Sequence, residues 1–145
     1  MQVAIGWGLL IFGGVLYLVQ LVSSLNFELA QRFGFQEDPK ETDLLLQRAE
    51  RYTAYWDLVV LGWLPFAGVL MIINHDFWSI VSLAGGAIYL DTSGREAAKN
   101  MSFRHEKLKT GSEQQQRIFF ASYIMMAVIA IILIAYSVND LVSKL

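Results

Sequence analysis

FWSIVSLAGGAIYL, residues 77–90, is the stretch on which the fold turns, because Asp91 follows it at once. A helix over that run is about 21 Å long, against a hydrocarbon core of about 30 Å. If the run crosses a bilayer it must draw on Asp91, Thr92, Ser93 and Gly94, which puts a carboxylate at or just under the membrane surface. Asp57 takes the same place near the start of another apolar run. Carboxylates at that depth are costly, so each is a candidate functional residue.

Three further apolar runs, residues 3–25, 54–73 and 118–138, join residues 77–94 to predict four spans in one domain covering residues 1–145. The expected fold is all-α: a polytopic membrane protein, an antiparallel four-helix transmembrane bundle whose helices extend into the cytoplasm. Composition agrees, with 55% hydrophobic and only 17% charged residues, where a soluble domain carries about 25% charged. The first run has no basic segment before it and exceeds the ~7–15 apolar residues of a signal peptide, so it reads as a retained span.

Ten of the eleven Lys and Arg residues fall in two stretches, residues 26–51 and 91–117. The positive-inside rule makes both cytoplasmic and places both termini outside, which four spans require. The expected location is a multi-pass position in a bacterial inner membrane. No basic run is dense enough for nucleic acid. The absence of cysteine excludes disulfides, thiolate metal sites and thiol redox relays. His75 and His105 fall on opposite sides, so no bis-histidine haem site forms, and no motif implies a cofactor or a metal.

Helix ends are signalled locally. Asp38, Pro39 and Glu41 fit an N-cap, N1 and N3, which predicts a second helix from residue 39 to 73 with a kink at Pro65. Helix one is expected to run on through Asn26 and Glu28 to a stop at Gly34. Asp76 is expected to cap helix three, which continues past Gly94 into the charged segment. Ser112, with Gln115 at N3, caps helix four. Gly6, Gly8, Gly13, Gly14, Gly85 and Gly86 mark places where helix backbones approach closely.

Helical spacing gathers polar residues at the inner boundary. Gln20, Ser24 and Glu28 share a face of helix one, and Glu50 and Asp57 lie on helix two. Asp91 and Arg95 form an i, i+4 acid–base pair on helix three, with Glu96 adjacent. The main layer is therefore Glu28, Asp57, Asp91 and Arg95, with Gln20, Ser24, Glu50 and Glu96 secondary. Such a layer could bind a cation, relay protons, or lock the helices by ion pairing; the sequence favours the lock. With no nucleophile or metal motif, the expected role is non-enzymatic: a subunit packing with a membrane-protein partner or with copies of itself in the lipid bilayer. The alternative is a homo-oligomeric small transporter or ion pathway using those carboxylates. A lipid- or quinone-modifying enzyme is the third class.

Overall fold

The computed structural model describes residues 1–144. Six helices follow in order: α1 (Gln2–Leu25), α2 (Phe27–Arg32), α3 (Leu44–Val60), α4 (Trp63–Ile72), α5 (Trp78–His105) and α6 (Glu113–Ser143). Among the described residues no strand forms. Three stretches are long and apolar enough to cross a membrane: Gln2–Leu25, Leu44–Ile72 and Glu113–Ser143. The α5 stretch, which carries residues 77–90, is not among them.

Three helix boundaries differ from expectation. Helix one does not run through to Gly34. Asn26 leaves helical geometry, and its side chain accepts the Leu29 amide at 3.0 Å to start the separate α2. Gly34, at φ +74°, ends α2 as expected. Helix two does not start at Asp38. That carboxylate accepts the Lys40 amide at 2.8 Å in a turn, and Asp43 is the N-cap. The backbone of residues 41–43 instead pairs with residues 109–111: Asp43 donates to Lys109 O at 2.9 Å and Gly111 donates to Glu41 O at 3.0 Å. These bonds bring both basic stretches to one end of the molecule. Asp76 does not cap α5; Phe77 is the N-cap, and its amide donates to His75 Nδ1 at 3.3 Å. Ser112 caps α6 as expected, accepting the Gln115 amide at 3.3 Å.

The break between α3 and α4 follows from Pro65, which has no N–H for the carbonyl of Leu61 four residues earlier. The buried Tyr89 hydroxyl supplies the missing donor at 3.0 Å. One hydrogen bond thus satisfies the orphaned carbonyl and pins α5 against the kink.

Glycines set the helix approaches. A Cβ at Gly68 of α4 would lie 2.6 Å from the Gly6 carbonyl oxygen and 2.7 Å from the Leu10 amide nitrogen of α1. One at Gly13 would lie 2.8 Å from the Pro65 ring, and one at Gly86 of α5 would lie 2.8 Å from Ile134 of α6. Neighbouring helices run antiparallel: Trp78 of α5 stacks beside Tyr136 of α6 at 5.3 Å, while Arg104 reaches Phe120 at 6.0 Å. The core holds Leu9, Leu61, Leu64, Met71, Met126 and Leu133. Gly8 and Gly14 face open space instead.

Candidate functional site

At the charged end, a cavity of about 260 Å³ opens between the helices. Each wall comes from a different element. Gln20 projects from α1, Glu50 and Asp57 from α3, Thr92 and Glu96 from α5, and Tyr123 from α6; the loop after α2 adds Glu37. Leu16, Leu61, Phe119 and Met126 make the remaining wall apolar. The loop is held in place by side chains. Gln36 donates to the Ser23 hydroxyl at 3.1 Å, and Gln31 donates to the Glu37 carbonyl at 3.1 Å.

The cavity is strongly acidic. Four carboxyl groups line it, and a single ammonium, Lys99, stands beside two of them. Lys99 Nζ lies 2.8 Å from Glu50 and also contacts Glu96. Among the described residues neither Glu37 nor Asp57 has an ion-pair partner. Asp57 is 3% exposed, and its Oδ1 meets no hydrogen-bond donor among the described residues. The Gln20 Oε1 and Thr92 Oγ1 atoms are also buried without partners. Burial, and then the neighbouring Glu50 charge, push the Glu37 carboxyl up to about 7; its own backbone amide and Lys99 pull the other way, while Glu96 pushes with Glu50. Lys99 is held above the usual lysine range by Glu50 and Glu96, which outweigh the burial that opposes them.

Of the residues singled out by spacing, the structure brings Gln20, Glu50, Asp57 and Glu96 together. It leaves three of the main four elsewhere or unaccompanied: Glu28 is exposed, and Asp91 and Arg95 form an exposed pair at 3.8 Å, their side chains 75% and 44% accessible. Depth placed these residues in the layer, but face keeps them out. Asp91 precedes the buried Thr92 by one residue, a rotation of about 100° on a helix. Ser24 is buried, but its hydroxyl donates back to Leu21 O at 2.9 Å, while its neighbour Ser23 meets the loop.

Glu37, Lys99 and Tyr123 escaped the reading by spacing. Glu37 lies on a turn, where no periodicity places it. Lys99 sits at i+3 from Glu96, a signal that was there to use. The carboxylates line the walls without converging: among the described residues no three acid, histidine or cysteine side chains meet as a metal site. The arrangement suits a diffuse positive charge with some apolar surface. No protein-family model, curated protein or solved structure matches this chain.

Proposed function

We propose that this chain is a four-span integral membrane protein whose cytoplasmic-end cavity binds an organic cation, as a small carrier does, and not an enzyme. Asp57 carries the proposal. A 3%-exposed carboxylate with an unpartnered oxygen on a cavity wall is not explained by ion-paired locking. Glu37 adds a second carboxyl without an ion-pair partner at the same wall, among the described residues.

The fourth span is argued from α5. It lies against α4 and α6 at the level of their apolar stretches, as the Gly85–Trp63 and Trp78–Tyr136 approaches indicate. Its exposed face carries Ile80 and Leu90, while Ser79 and Ser82 are buried. That inverted pattern suits a lipid surround. With both basic stretches at one end, the positive-inside rule puts that end in the cytoplasm and both termini outside, as in a bacterial inner membrane.

The partner-subunit reading drew on the missing catalytic motif, the charged helix extensions and the small residues, and of the last Gly6, Gly13 and Gly86 serve packing within the chain. The test is binding of tetramethylammonium to the protein in lipid nanodiscs. The parent binds saturably, Asp57→Asn weakens binding at least tenfold, Glu37→Gln weakens it less, and Asp91→Asn leaves it unchanged. Absence of saturable binding in the parent, or equal affinity in Asp57→Asn, would overturn the reading.

A further inference from the structure

A second concavity lies in line with the acidic cavity. The cavity's α1 and α6 walls, Leu16 and Met126, lie one helical turn from Phe12 and Ile129, which begin this second concavity of about 450 Å³. That groove runs between α1 and α6 to Met1 and Tyr136 and is lined almost wholly by apolar side chains. From Phe12 back to Met1 it covers about 16 Å along α1. Gly8 lies on it, and a Cβ there would meet nothing within 4 Å. A carboxylate-lined end and an apolar slot thus follow one another along the α1/α6 seam.

We propose that the α1/α6 seam binds a single-chain cationic amphiphile, its ammonium in the acidic cavity and its alkyl chain in the groove. The proposal rests on the cation reading above and names the ligand class. Charge complementarity selects the occupant. Asp57 and Glu37 have no ion-pair partner at the cavity wall among the described residues, and an ammonium supplies the counter-charge that lets them ionise there. The same wall offers a phosphate or carboxylate headgroup no free cation, since Lys99 is already shared by Glu50 and Glu96. The groove's volume suits one alkyl chain, and burying that chain strengthens binding of the head beyond what charge supplies. A partner helix is the competing occupant of an apolar groove beside a small residue.

The experiment compares three probes in zwitterionic nanodiscs at fixed lipid concentration: tetramethylammonium, dodecyltrimethylammonium and laurate. The parent protein binds the dodecyl cation at least tenfold more tightly than tetramethylammonium and does not bind laurate saturably. Gly8→Leu, which fills the groove without touching the cavity, removes the advantage of the tail and leaves tetramethylammonium affinity unchanged. Asp57→Asn weakens both cations. Equal affinity of the two cations, or indifference of the tail advantage to Gly8→Leu, with tetramethylammonium binding intact, overturns the amphiphile and leaves the cation site standing. Loss of tetramethylammonium binding in the parent removes both. Quantitative crosslinking of Gly8→Cys to a second copy assigns the groove to a partner helix and overturns the proposal.

Discussion

Helices α5 and α6 lie side by side and are nearly equal in length, yet only α6 is apolar enough along its length to register as a span. The difference is one of faces. On α5, Ser79, Ser82, Gly86, Tyr89 and Ser93 recur at alternating spacings of three and four, and all are buried. Ile80 and Leu90 point outward. On α6 the exposed side carries Ile124, Val128, Ile131 and Ile132, while the buried positions include Met126, Ala130 and Leu133. Average hydropathy cannot distinguish polar residues turned inward from polar residues turned to water. The inward stripe of α5 is also what delivers Thr92 and Glu96 to the cavity.

The comparison can be broken most forcefully at Gly86. Leucine there would drive into Ile134 and toward the Ala130 carbonyl, whose Cβ approaches are 2.8 and 3.2 Å. A loss of about 3 kcal/mol or more, or failure to fold, is expected. The neighbouring outward substitution Ala87→Leu should stay within about 0.5 kcal/mol, as surface changes do. Unfolding in mild detergent separates them; equal losses would mean that α5 has no distinct inner face.

At the cavity end of that face the sign depends on pH. Glu37 titrates near 7 in the folded protein, against an ordinary 4.5, because of burial and the Glu50 charge, with Glu96 adding to it and Lys99 opposing it. The protein is therefore most stable, as far as this group is concerned, below 4.5, and it loses stability as pH rises to 7. Glu37→Gln should stabilise it by roughly 2–3 kcal/mol at pH 8 and by nothing at pH 4. A flat difference across that range would contradict the burial of this carboxyl.

Tyrosine hydroxyls give a matched pair. Tyr89→Phe strands the Leu61 carbonyl beside Pro65 and should cost about 1–3 kcal/mol. Tyr136→Phe on α6 keeps the ring against Trp78 and should cost less than about 0.5 kcal/mol. Melting temperatures of the two variants check this directly; the reverse order would remove the pin at the kink. The smallest effect belongs to Asp91→Asn. Its pair with Arg95 is solvent-exposed, so stability should change by less than about 0.5 kcal/mol. A larger loss in denaturant titrations would return Asp91 to the buried layer.

The site was legible where side chains follow a helical period from a sound register. Gln20, Glu50, Asp57 and Glu96 were found that way, although three of them ranked as secondary. Asp91 was misplaced because membrane depth is a coordinate along a helix, while burial depends on rotation about it. Glu37 was not legible at all. Its position depends on Gln31 and Gln36 folding the loop back onto α1, contacts six and thirteen residues apart in sequence.

By itself, the sequence determined the helical class, the long apolar stretches, the charge asymmetry and the caps at Gly34 and Ser112. Those depend on composition and on neighbours within one turn. Only the tertiary structure decided that the kink at Pro65 is closed by Tyr89 and that Lys99 is shared by Glu50 and Glu96. It also decided what residues 77–90 are: a helix with its polar residues turned inward, leaving Asp91 on the outside. Those outcomes depend on which faces meet across distant helices, and no local pattern encodes that rotation.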